Sequence, residues 1–159
     1  MVYAVALVGG LCVFNLVLTF GVIRRLRELS DVAVPVGRAV GEFAARTTNG
    51  DTVSRDSAQL VGFFSPGCQP CEECIPQFVD DPTERKLAVV VGDGGEAYAA
   101  RLAASAAVVV EPAAGPVSQA FRVTSYPTLC LVDADGVLVA SGNSFQELRR
   151  GNPFQELRR

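Results

Sequence analysis

Three of the five cysteines in this 159-residue chain fall at three-residue steps: Cys68, Cys71 and Cys74. At such spacing cysteine can do two kinds of chemistry, disulfide exchange between paired thiols or ligation of a metal. Cys68-Gln69-Pro70-Cys71 is a C-x-x-C pair, and two thiols so placed can close a small-loop disulfide. The surrounding residues set that pair at a helix start. The apolar run Leu60 to Phe64 reads as a buried strand that stops at Ser65-Pro66-Gly67. Pro70 is tolerated in a first helical turn, and Glu72 and Glu73 favour the positive end of the helix dipole. A helix N-terminus stabilises a thiolate on the outer cysteine. Cys68 is therefore the expected nucleophile, and Cys71, one turn in and less accessible, the resolving thiol.

The metal reading is weaker. The chain has no histidine, which removes imidazole both as ligand and as catalytic base. A tetrahedral zinc site needs a fourth ligand, and only Cys130, Cys12 or a carboxylate remains to supply it. A bacterial ferredoxin run needs a fourth cysteine followed by proline, whereas Ile75-Pro76 follows Cys74 directly. Cysteines at three-residue steps on one helix also point in too narrow a fan to enclose a metal. No metal and no cofactor are expected.

Two motifs in order carry a resemblance. Cys68-Gln69-Pro70-Cys71, with Pro76 five residues after the second cysteine, resembles the active-site helix of the thioredoxin superfamily. The segment Tyr126-Pro127-Thr128 to Val132, followed by Asp133-Ala134-Asp135-Gly136 and Val137 to Val139, resembles that family's cis-proline, strand, hairpin and return strand. With Ser65-Pro66-Gly67 and no tryptophan before the first cysteine, the chain looks nearest to the membrane-anchored redoxins of the TlpA/ResA and MauD type. The likeness spans about residues 35 to 145. It implies a thioredoxin-like α/β sandwich with a mixed central sheet and a thiol-disulfide oxidoreductase acting on partner proteins. It also implies that Tyr126 and Pro127 meet an extended substrate peptide, with Gln69 and Pro70 completing the contact. Two departures concern the proton acceptor for the resolving thiol. Where thioredoxins carry a buried aspartate this chain has Gly62, and where many TlpA/ResA-like proteins carry a glutamate it has Cys74. Cys74 is expected to be core filler on the underside of the site. A second disulfide partner for Cys71 is the sharper alternative. A non-catalytic thioredoxin-fold binding module with structural or metal-binding cysteines is the alternative from another functional class.

The elements that must position these residues follow a simple order. Glu42 to Ser54 reads as a hairpin turning at Asn49-Gly50-Asp51, and Ser57 to Gln59 as a brief helix. Leu87 to Val91 is a second buried strand, Glu96 to Ala106 an alanine-rich helix, and Val108 to Val110 a third short strand. Val117 to Phe121 gives a helical turn before Tyr126-Pro127. Gly92-Asp93-Gly94-Gly95 lacks the lysine and the spacing of a phosphate loop and reads as a plain turn. The predicted organisation is an anchor with a basic flank over 1–29, a linker over 30–41, the redoxin domain over 42–145 and a helical tail over 146–159.

Composition places the two ends. Hydrophobic residues make up 49% of the chain and mean hydropathy is +0.28, an excess concentrated at the N-terminus. From residue 30 onward there are 11 basic and 16 acidic side chains, a net charge of −5, and no basic face argues for nucleic acid. Tyr3 to Ile23 carries no charge. At about 1.5 Å per residue it reaches about 32 Å, enough to cross a hydrocarbon core of about 30 Å. A single-pass anchor is therefore expected. Arg24, Arg25 and Arg27 follow it, and the positive-inside rule alone would put the domain in the cytoplasm. The resemblance implies the opposite, an extracytoplasmic domain, and is preferred. The tail repeats Phe-Gln-Glu-Leu-Arg-Arg at Phe145 and Phe154, with Ser144 and Glu147 as a capping box in the first copy.

Overall fold

The computed structural model describes residues 9–21 and 34–151. Residues 9–21 form a helix, α1, whose apolar side chains are exposed, Leu11, Leu16 and Phe20 among them. Among the described residues no helix is long and apolar enough to cross a membrane. The rest of the expected span, like the second copy of the tail repeat, lies outside the described residues.

From Val34 onward the chain is built around strand β3, Leu60–Phe64, whose five residues are all buried. β3 pairs in parallel with β4 (Lys86–Val91) and antiparallel with β6 (Thr128–Val132). β5 (Ala107–Glu111) and β7 (Leu138–Gly142) complete a mixed sheet of order β5-β4-β3-β6-β7. Continuous apolar runs in β3 and β4 follow from burial of the central strands on both faces.

Alternation along the strands gives each face its own core. One face sends Leu60, Phe64, Ala88, Val90 and Leu129 against helices α2 (Gln69–Asp80), α3 (Glu96–Leu102) and α5 (Phe145–Arg150). The other sends Val61, Phe63, Leu87, Val89 and Cys130 against helix α4 (Pro116–Phe121) and the hairpin of β1 (Ala44–Arg46) and β2 (Thr52–Ser54). That hairpin turns at residues 49–51 as the sequence indicates, with Gly50 at φ 93°.

Three local expectations are corrected. Residues 34–41 are not a free linker. Val34 and Val40 are buried in the second core, and the Gly37 N–H donates to Leu138 O at 2.7 Å along the outer edge of β7. An apolar residue beside an unpaired strand edge has more to gain from docking than from solvation. The brief helix falls at Arg55–Ser57, not at 57–59, because the Ser57 hydroxyl accepts from the Ser54 N–H and closes the turn early. Helix α3 ends at Leu102 and not Ala106. The Ser105 hydroxyl takes the Leu102 carbonyl there and competes with further helix.

Two buried charges terminate helices. Lys86 Nζ donates to the carbonyls of Phe78, Val79 and Asp81 at 3.1, 2.8 and 3.0 Å, closing the C-terminal end of α2. Three carbonyls at the negative end of a helix dipole satisfy all three ammonium protons. Glu111 does the reverse for the N-terminal end of α4, where Gly115 offers no side chain to cap it.

Candidate active site

The C-terminal end of β3 delivers the chain to Ser65-Pro66-Gly67, and Gly67 sits at φ 75°, which favours glycine. Cys68 follows as the N-cap of α2, with Pro70 in the first turn. Its Sγ accepts from the Cys71 N–H at 3.3 Å, replacing the oxygen that usually serves as a cap. Cys68 and Cys71 are joined by a disulfide with Cα atoms 5.2 Å apart. The two sulfurs are not equivalent. Cys68 is partly exposed, whereas Cys71 is 0% exposed and packs in the α2 core. Once reduced, a Cys68 thiolate would keep the N–H donor and the positive end of the helix; Cys71 would have neither solvent nor an anion-stabilising donor of that kind.

Tyr126-Pro127 is a cis peptide bond, and it lies beside the disulfide: Cys68 Sγ is 3.7 Å from Tyr126 O. Pro127 is buried and Tyr126 half-buried, touching the cores of both sheet faces. Gln69 and Pro70 are exposed on the outer surface of the first turn, where Gln69 Nε2 reaches Glu73 Oε1 at 3.5 Å. Cysteines, cis-proline loop and first-turn residues thus converge on one end of β3.

Cys74 lies one step further along the helix, 5% exposed and packed in the same core as Cys71. Burial pushes its thiol up to about 11, so it is neutral at physiological pH. Cys130 lies on β6 in the opposite core and is pushed higher still by burial. Neither is a thiolate, and neither forms a disulfide.

The acceptor missing from the sequence is not replaced in kind. A Cβ on Gly62 would come within 2.8 Å of the rings of Phe64 and Phe78, so aromatic carbon fills the space a carboxylate would need. Those rings meet edge to face at 5.3 Å between centroids. Glu72 is close in sequence but engaged elsewhere, with its Oε2 2.6 Å from Arg101 Nη1 on α3. The facing Tyr98 hydroxyl and the Arg101 guanidinium hold the Glu72 carboxyl below the usual carboxylate range. The buried Tyr98 hydroxyl makes no hydrogen bond of ordinary geometry, so the Arg101 pair is the firmer of the two contacts. An exposed carboxylate held ionised in this way is a poor proton acceptor for a buried thiol. Sequence reasoning missed Tyr98 and Arg101 altogether. An alanine-rich helix with one tyrosine and one arginine three residues apart is their only trace.

No protein-family model and no curated protein matches the chain. Solved structures do. A proposed thiol:disulfide interchange protein DsbE from Chlorobium tepidum superposes with a TM-score of 0.57 at 18% identity, covering 77% of this chain and 94% of that one. The exposed lipoprotein thioredoxin Etrx1 of Streptococcus pneumoniae gives 0.54 at 20% identity, covering 74% and 98%. A thiol:disulfide interchange protein from a Bacteroides species gives 0.55 at 17% identity, covering 74% and 87%. At such identities the likeness defines the fold. This chain has a thioredoxin-like α/β fold with a mixed central sheet, and its paired cysteines stand at the start of the helix that follows the central strand.

Proposed function

We propose that the protein is a thiol-disulfide oxidoreductase that exchanges disulfides with partner proteins through Cys68 and Cys71. One observation carries the reading: Cys68 is partly exposed at a helix N-cap, its Sγ bonded to a fully buried Cys71 and 3.7 Å from the Tyr126 carbonyl. In the reducing direction the Cys68 thiolate attacks one sulfur of a substrate disulfide and the other sulfur leaves as a thiolate. The Cys71 thiol gives up its proton to the departing substrate thiolate as the mixed disulfide forms. It then attacks Cys68 Sγ, releasing the second substrate thiolate and closing the Cys68–Cys71 bridge. Run backwards, the same two exchanges oxidise a substrate dithiol. Tyr126 and Pro127 flank an extended peptide in this reading, with the Tyr126 backbone free to pair with it, and Gln69 and Pro70 form the facing rim.

We further propose an N-terminal membrane anchor, supported by the uncharged segment Tyr3 to Ile23, and a redoxin domain outside the cytoplasm, supported by the resemblance to membrane-anchored redoxins against the charge of Arg24, Arg25 and Arg27. Protease added to intact spheroplasts should then digest the domain; protection until lysis would contradict this topology. The exchange reading is tested by trapping. Cys71→Ser should accumulate a stable mixed disulfide on Cys68 with a partner protein, and Cys68→Ser should accumulate none. Trapping by Cys68→Ser alone would reverse the two roles.

A further inference from the structure

Once Cys68 is reduced and ionised, two anions share the N-terminal end of α2. Cys68 is the N-cap, and the Glu72 N–H donates to Cys68 O at 3.2 Å, so Glu72 follows one turn below the reactive residue. Helix residues four apart have Cβ atoms about 5–6 Å apart, close enough for a carboxylate to oppose a charge on Sγ. Carboxylates are already ionised at any pH where a thiol titrates. Left alone, Glu72 would cancel part of what the helix N-terminus gives Cys68.

Helix α3 brings a cation to the same place. Arg101 Nη1 lies 2.6 Å from Glu72 Oε2, and the guanidinium carbon stands 5.7 Å from the centre of the Tyr98 ring. The cation is held from two sides, by the carboxylate and by a ring that is itself buried. Half-exposed ion pairs of this kind add little to folding stability, so stability does not account for the arrangement. The other groups around Cys68 carry no such partner. Glu73 on the same helix is exposed and meets only Gln69. Asp93 is exposed on the loop after β4, where a Cβ on Gly92 would stand 3.9 Å from Ser65 Oγ. From the cis-proline loop, Tyr126 meets Sγ with its carbonyl. Among the described residues, Arg101 is the only cation paired with a first-turn carboxylate of α2.

We propose that Arg101 is a positioning residue for the exchange reaction: it masks the Glu72 carboxylate, so that the helix N-terminus acts unopposed on the Cys68 thiolate. The inference rests on the exchange reading above and adds a charge device on α3 that keeps Cys68 reactive.

Arg101→Gln leaves Glu72 ionised and unmasked. Each protein is used as the full chain, reduced, and compared at equal folded fraction by near-ultraviolet circular dichroism. Residue-resolved alkylation of Cys68 across pH should give a midpoint raised in Arg101→Gln by on the order of half a pH unit. At about 1 M salt, where the screening length is about 3 Å, that rise should largely vanish, whereas a change in packing would persist. Arg101→Lys keeps the charge and should recover most of the shift. Glu72→Gln removes the charge to be masked and should leave the midpoint at or below the parent value. Adding Arg101→Gln to Glu72→Gln should then change little, because an Arg101 without its carboxylate is free to turn into solvent. No rise in Arg101→Gln, a rise that survives salt, or an equal rise with Glu72 already removed would overturn the proposal. A parent protein inert toward the small disulfide cystamine sinks the exchange reading and this inference with it. An active parent whose Cys68 midpoint ignores Arg101→Gln sinks the inference alone.

Discussion

The two faces of the sheet divide polar and apolar duties in opposite ways. Beneath the disulfide, on the α2 face, Cys71 and Cys74 sit among Leu60, Phe64, Ile75 and Phe78, with no buried carboxylate among the described residues of that core. On the α4 face a carboxylate is buried, and Ser118 and the α4 amides satisfy it. Both faces meet at Tyr126. The contrast leaves Cys71 on an apolar face and sets the buried charge at the N-terminal end of α4. Proton traffic at Cys71 must then pass through the opening at Cys68 and not through an internal base.

The strongest way to break that contrast is to force a carboxylate onto the dry face. Gly62→Asp places a Cβ within 2.8 Å of the Phe64 and Phe78 rings and a charge with no donor behind it. It should cost about 3 kcal/mol or more, from overpacking and unpaired burial together. Chemical denaturation checks this. A stable variant with faster resolution by Cys71 would mean that the face tolerates an acid after all.

Lys86→Met sharpens the comparison from the other end of α2. It removes three bonds to the last carbonyls of the helix, and the ammonium 5.8 Å from the Phe78 ring centre, while keeping an unbranched apolar side chain of similar length. The expected loss is about 2 kcal/mol in urea unfolding, since charged hydrogen bonds are stronger than neutral ones. Exchange at the distant N-terminal end should keep its rate.

Smaller still is the contribution of Cys74. Its thiol is raised from 9.0 to about 11 by burial, so the folded protein keeps this proton while the unfolded chain loses it. The stabilisation is complete below pH 9 and is lost as pH rises from there through about 11. Wild type should therefore lose about 2 kcal/mol more than Cys74→Ala across that window. The buried Cys130 adds a loss of the same sign to both proteins. Stability curves of equal slope would show that Cys74 is not desolvated. At neutral pH the variant should retain exchange, and peptide mapping of oxidised protein should find Cys68 joined to Cys71 with Cys74 free.

How far the sequence could be read follows from where each residue's partners lie. β3 and β4 announce themselves because their apolar runs are continuous, and the helix start at Cys68 because Gly67, Pro70 and Glu72 sit within a few residues of it. Local signals of that kind need no knowledge of the fold. Glu111 and Lys86 read as ordinary charges at strand ends, since burial is decided by which helix terminus packs nearby. The trace Glu111 leaves is weak: a carboxylate a few residues before Gly115-Pro116, a glycine N-cap that cannot cap itself. The Ser144 cap was legible for the opposite reason. Its hydroxyl accepts from the Glu147 N–H at 3.3 Å as the pattern indicates, although the Glu147 carboxylate turns to the Asn143 N–H instead of Ser144. Val34 and Val40 looked like linker because the stretch around them is short and broken by Pro35 and Gly37, which leaves no period to read.

The central claim is that Cys68 is the attacking thiol because it alone combines exposure with a helix N-terminus. Alkylation of the reduced protein with iodoacetamide across pH, resolved by residue in a mass spectrometer, tests it directly. The account predicts that Cys68 is modified first, with a midpoint below the ordinary thiol value of about 8.5, while Cys71, Cys74 and Cys130 stay unmodified in the folded protein. Modification that begins at Cys71 or Cys74, or a Cys68 midpoint at or above the ordinary value, would contradict it.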